Sequence, residues 1–229
     1  IPGPNQGNIF VTALIILGLV LVSSKAKMLD RAGVFAAAVL GLTVGALGHW
    51  TWLLILLGFL LSAHKATKWR FSEKLERGMS ESNDGHRSYD NVIANGGLPG
   101  IVAIFAFITE EWETGLWMFS AAVAVAASDT FASEIGCLDD NVRMITTFKR
   151  CEAGINGGFS PSGQLAALAG SGLIGVLSFP AWYFTTGMTD LQIGLTLSAA
   201  VVVIGWLGCQ MDSLLGALLE NRGFLTKGG

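Results

Sequence analysis

An acid pair, Asp129 and Glu134, with hydroxyls at Ser128 and Ser133, lies in Ser128-Asp129-Thr130-Phe131-Ala132-Ser133-Glu134-Ile135-Gly136 at the end of an apolar run, 117–127, that otherwise reads as a membrane span. Carboxylates at that depth are costly, so they are candidates for function. Further on stands Lys149-Arg150-Cys151-Glu152-Ala153-Gly154-Ile155-Asn156-Gly157-Gly158, a basic, glycine-rich stretch of the kind that holds phosphate through backbone N–H groups. Acid for metal and loop for phosphate in one segment suit phosphoryl transfer from a nucleotide. That reaction needs a divalent metal on phosphate oxygens, donors to take up charge, and a site that positions donor and acceptor. Asp129 and Glu134 suit magnesium, which takes one or two carboxylates together with phosphates and water. Five residues apart on an unbroken helix, they diverge by about 140°. Both face one ion only if the helix ends near Ser133, and Gly136 favours such an end. Lys149 and Arg150 can clamp phosphates, Asn156, Gly157 and Gly158 can form the loop itself, and Thr146 and Thr147 are further hydroxyl candidates.

The elements that must position these groups are membrane helices. The chain of 229 residues is 52% hydrophobic and 14% charged, with a mean hydropathy of +0.56; soluble domains average about 25% charged residues. Apolar runs at 9–23, 33–47, 50–63, 98–108, 115–127, 164–185 and 191–219 predict an all-α, polytopic bundle of about seven helices in a single domain. The fourth run is short and is expected to extend backward through Asn91. All 14 Lys and Arg follow runs one, three, five and seven, while Glu110, Glu111, Glu113 and Asp190 lie between the others. The positive-inside rule then places the N-terminus outside and the C-terminus in the cytoplasm. Ile1 in place of Met is the expected mark of a trimmed start. Cys137, Cys151 and Cys209 match no zinc spacing and are read as reduced and incidental.

Two polar segments, 64–95 and 128–160, interrupt the apolar pattern on the basic side and are expected to form the site, facing the cytosol. In the first, Glu73, Lys74, Glu76 and Arg77 read as a solvated helical face. Its end is different. Asp90, Asn91 and Asn95 precede an apolar run, and Gly96-Gly97 is expected to break the helix there, which at membrane depth requires burial in protein or a wet cavity. In the seventh run Gly205, Gly208, Asp212 and Gly216 share a small face suited to close helix packing, and Asp212 calls for a cation as partner. Helix starts at Ala32-Gly33 and Ser162-Gly163 are faintly alike, as a duplication would make them.

No phosphate-binding G-x-x-x-x-G-K-[ST] loop, kinase catalytic set or H-E-x-x-H motif is present. His49, His64 and His86 are scattered. Nucleic-acid binding has no support, because the basic residues are spread along membrane edges.

The blocks Asp90-Asn91-Val92-Ile93-Ala94-Asn95-Gly96-Gly97, Ser128 to Gly136, Ile145-Thr146-Thr147 leading to Gly154-Ile155-Asn156-Gly157-Gly158-Phe159-Ser160, and Asp212-Ser213-Leu214-Leu215-Gly216-Ala217 resemble a family of polytopic membrane proteins that includes the plant phytyl-phosphate kinase and animal transmembrane protein nineteen. Asp129-x-x-Ala132-Ser133-x-x-Gly136 also resembles the CTP-using dolichol kinases and phosphatidate cytidylyltransferases, although here Ala153 separates Glu152 from Gly154. The resemblance implies magnesium-dependent transfer of phosphate from CTP to an isoprenoid monophosphate in a bilayer. It implies magnesium on Asp129, Glu134 and Asp212, catalytic contacts from Asp129, Lys149 and Arg150, and nucleotide or phosphate contacts from Ser128, Ser133, Thr146, Thr147, Asn156, Gly157, Gly158, Ser160, Arg87, Asn91 and Asn95. Homo-oligomerisation is left open. The competing reading is a transporter for an ion or phosphorylated solute, because glycine breaks and acids at depth are also features of broken-helix carriers.

Overall fold

Among the described residues, seven helices are long and apolar enough to cross a bilayer. The structure, a computed structural model, describes residues 2–80, 82, 84–187 and 190–220; the expectations placed on Ile1, Arg222 and Lys227 lie outside the described residues. Helix α1 (Gln6–Ala26) starts where the Asn5 side chain accepts from Asn8 N. Helix α2 (Arg31–Leu42) starts where Asp30 accepts from Gly33 N, and its last turns, Thr43–Gly48, widen to looser hydrogen bonding. Helix α3 (Trp50–Lys68) is followed by the short α4 (Phe71–Glu76). Then come α5 (Tyr89–Thr109), α6 (Trp112–Gly136), a two-stranded hairpin of β1 (Arg143–Met144) with β2 (Gly158–Phe159), and α7 (Pro161–Thr186). The last helix, α8 (Leu191–Leu215), continues as a widened turn, Gly216–Glu220.

Two expectations about helix ends are corrected. Helix α5 does extend backward past Asn91, but it is not broken at Gly96-Gly97 and passes through Pro99 as well. Gly96 serves packing instead: a Cβ there would lie 2.1 Å from Leu40 Cδ2 of α2. Helix α6 likewise runs beyond Ser133 to Gly136. The helix break after Asn95 that favoured a carrier is therefore absent.

Helix α6 is the centre of the bundle and packs against α3, α5, α7 and α8. Its Leu116, Phe119, Val123, Ala124 and Ala127 are fully buried, and Phe119 packs on Trp52 with ring centroids 5.1 Å apart. Small residues let the backbones close up, as the sequence of α8 predicts. A Cβ on Gly205 would sit 2.7 Å from Ala124 Cβ, and one on Gly170 2.6 Å from the Ala127 carbonyl oxygen.

The two ends of the bundle differ. At the end away from the Lys and Arg, polar groups are tied to one another. His49 Nδ1 lies 2.8 Å from the Thr51 hydroxyl, Thr51 lies 3.0 Å from that of Thr185, Asn8 Nδ2 donates to Gly45 O at 2.7 Å, and Trp182 Nε1 donates to Glu113 at 2.8 Å. At the basic end the helices splay around two cavities.

Candidate functional site

The larger cavity, about 300 Å³, is enclosed by the end of α6, the hairpin's return strand, the start of α7 and the end of α8. Asp129 and Ser133 reach it from α6, Asp212 and Ser213 from α8, Asn156, Gly157, Gly158 and Ser160 from the loop, and Gln164 from α7. Asp129 and Asp212, far apart in sequence, thus converge on one space. Gly157 holds φ +83°, and a Cβ on it would lie 2.3 Å from Ala217 Cβ, so only glycine lets this loop lie flat on the end of α8. The N-terminus of α7 ends at the rim, where Ser160 accepts from Gly163 N at 3.1 Å and the helix dipole presents its positive end. Beside it, Asp139 accepts from the Ser162 hydroxyl at 2.7 Å; that bond, with the Asn141 backbone N–H, holds the Asp139 carboxyl below its ordinary value. One wall is fixed by a relay the sequence reading missed: Trp206 Nε1 donates to Gln164 Oε1 at 2.9 Å, and Gln164 Nε2 donates to Gln210 at 3.0 Å. The signal was available, since Gln164 lies one turn past Ser160 and Gln210 two residues before Asp212.

Among the described residues no three His, Cys, Asp or Glu side chains form a metal cage. Two carboxylates beside a roomy cavity fit the donor set of a magnesium ion that takes its other ligands from phosphates and water.

Glu134 is not part of this cavity. Because α6 stays helical to Gly136, Glu134 emerges on another face from Asp129, and the expectation that both face one ion is corrected. Glu134 instead accepts from Lys74 Nζ at 2.7 Å and from the Thr67 hydroxyl, with Arg87 Nη2 4.0 Å away. Lys74, expected on a solvated face, is 1% exposed. Arg70 in the left-handed region (φ 48°) turns α4 back against α3, so that Lys74 Nζ also donates to Ala66 O at 2.8 Å and Thr67 O at 3.2 Å. All three ammonium protons are used, as burial of the charge requires.

The remaining predicted residues divide. Ser128 donates to Ala167 O at 2.8 Å and is buried between α6 and α7. Thr146, Thr147, Lys149 and Arg150 lie exposed on the hairpin and do not line the cavity. Arg87, Asn91 and Asn95 line a second, smaller cavity between α1, α2, α3 and α5. Asn91 and Asn95, four residues apart on α5, share one stripe, with Arg87 just before the helix, a pattern obscured when Asn91 and Asn95 are grouped with Asp90.

The chain is 34% identical over 219 residues to an uncharacterized membrane protein of Methanocaldococcus jannaschii, covering 95% of this chain and 86% of that one. It is 29% identical over 233 residues to Protein PGR of Arabidopsis thaliana, covering 94% and 81%. It is 32% identical over 150 residues to Protein VTE6, chloroplastic, of the same plant, covering 62% and 44%. No solved structure matches. The family described as integral membrane protein DUF92 matches residues 14–229, from within α1 through the rest of the apolar helices, and the chain belongs to that family.

Proposed function

We propose that the protein transfers the terminal phosphoryl group of CTP to an isoprenoid monophosphate, at a site facing the cytosol. The observation that carries this reading is the convergence of Asp129 and Asp212 on the cavity bordered by the Asn156 to Ser160 loop. The family resemblance of these same blocks supplies the donor and the acceptor class, and membership in an integral membrane family fits a lipid substrate. An oxygen of the acceptor phosphate forms a bond to the γ-phosphorus, the bond from that phosphorus to the β–γ bridging oxygen breaks, and CDP leaves with that oxygen. The product is the prenyl diphosphate. The acceptor oxygen is already anionic, so no strong base is needed, in keeping with a lining that, among the described residues, includes no histidine. Asp129 and Asp212 would hold magnesium, whose chemistry is to neutralise charge on the phosphate oxygens. The loop glycines let backbone approach the phosphates, and the positive end of α7 favours the same anions. Lys149 and Arg150 on the exposed hairpin would attract the nucleotide and close over it.

Purified protein in detergent, given magnesium, labelled CTP, ATP, GTP or UTP, and geranylgeranyl or phytyl monophosphate, should form prenyl diphosphate and CDP. No product from any pair, in protein shown to be folded, would overturn phosphoryl transfer and make flux into liposomes the next measurement.

A further inference from the structure

Among the described residues four that are not glycine hold a positive φ, and three of them, Lys27, Arg70 and Glu110, are polar residues at helix ends. The fourth is Phe148 (φ 55°). It closes the turn of the hairpin, where its N–H donates to Met144 O at 2.8 Å and Met144 N–H donates to Lys149 O at 2.9 Å. The left-handed region disfavours a bulky side chain, and glycine or asparagine would hold this turn with less strain. The ring gains little shelter in return, since it is 64% exposed. Its packing on Phe159 is T-shaped, with centroids 5.9 Å apart and planes at 84°. Phe159 itself lines the polar cavity that Asp129 and Asp212 reach. Phe148 is flanked by cations: Lys149 and Arg150 follow it, both exposed, and Arg143 Nη1 donates to its carbonyl at 3.2 Å. Strain and exposure thus coincide in one aromatic ring beside the cavity, and strain of this kind clusters where ligands bind.

We infer that Phe148 is the stacking surface for the base of the nucleotide, with Phe159 setting the ring's orientation and Lys149 and Arg150 leading the phosphates toward the cavity. The inference rests on the proposed nucleotide-dependent transfer and names a subsite for its donor. An exposed ring takes any base by its π-face, and the neighbouring cations favour the polyphosphate. A ring carries no group that reads a base edge, so this subsite supplies affinity without choosing among bases. Contact with the bilayer is the competing use of an exposed aromatic. Seven spans already hold the protein in the membrane, however, and the turn's other exposed side chains, Thr146, Thr147, Lys149 and Arg150, are polar.

The test compares equilibrium affinities of wild-type, Phe148→Leu and Phe148→Trp proteins in detergent with magnesium, for CTP, UTP and inorganic tripolyphosphate, which has no base. Phe148→Leu keeps apolar bulk but loses the ring, and should weaken CTP and UTP alike by about tenfold while tripolyphosphate binds as before. Phe148→Trp should bind both nucleotides at least as tightly as wild type. An equal loss for tripolyphosphate would make Phe148 a shaper of the hairpin, and unchanged nucleotide affinity in a folded Phe148→Leu protein would put the base elsewhere; either overturns the stacking site. Quenching of the Phe148→Trp protein's added emission by brominated lipid, undiminished by CTP, would assign the ring to the bilayer and overturn it too. Normal turnover of CTP with an affinity indifferent to Phe148→Leu would leave the kinase standing and remove the stacking site. Nucleotide binding that Phe148→Leu weakens, without product from any acceptor, would do the reverse, and no nucleotide binding by wild type would remove both.

Discussion

Glu134 and Asp129 stand within two turns of each other on α6, yet they meet opposite conditions. Glu134 is enclosed by Lys74, Thr67 and Arg87, whereas Asp129 faces a cavity that Asp212 also reaches. A carboxylate whose counter-charge is built into the fold contributes to architecture; one that lines a cavity with a second carboxylate is where the proposed magnesium would be held. Sequence position alone does not separate the two roles, because both acids sit in the same apolar-to-polar transition.

The comparison can be broken most forcefully on the structural side. Lys74→Met removes one partner of a buried pair and should destabilise the protein by about 3–5 kcal/mol, read by denaturant unfolding in detergent. Adding Glu134→Leu should recover most of that loss. Equal stability of the single variant and the wild type would mean that α4 is not held by this contact. On the chemical side, Asp129→Asn and Asp212→Asn should each lower turnover about 100-fold or more, equivalent to about 2.7 kcal/mol, with unfolding unchanged. A large loss of stability in either would turn that acid into a second Glu134. Gly157→Ala forces a side chain into a left-handed conformation and against Ala217, and should cost about 2 kcal/mol, appearing as a raised nucleotide KM. Lys149→Ala, on the exposed hairpin, should change nucleotide KM only a few-fold, an effect that shrinks with added salt.

The smallest effect concerns Asp139. Its carboxyl is held below the ordinary value by the Ser162 hydroxyl, so the folded state binds the proton less readily than the unfolded one. That contribution to stability is present above about pH 4, the unfolded value, and is lost as pH falls through the lower folded value. Asp139→Asn should flatten the acid limb of the stability curve; an unchanged limb would remove this carboxylate from the account of α7's start.

Hydropathy alone makes the seven spans legible, because crossing a bilayer forces long apolar runs, and the small face of α8 is legible because tight packing needs glycine at helical spacing. Lys74 is not, since nothing local reveals that Arg70 turns α4 back onto α3. The end of α6 is expected near Ser133, but the helix runs about one turn further, to Gly136 itself, because the glycine is the stop and not the residue before which the helix must already have ended. Asp129, Asp212 and the Asn156 to Ser160 loop could be named one by one from the sequence. Their convergence could not, because it depends on how closely α6, α7 and α8 pack.

The glycine-mediated closure beneath the polar cavity separates the two ends of the bundle. Val123, Ala124, Ala127 and Ile174 are fully buried there, and at the far end His49, Thr51 and Thr185 are tied to one another. Were the cavity to take the proposed nucleotide, this packed apolar layer would keep the bound charge on one face of the bundle.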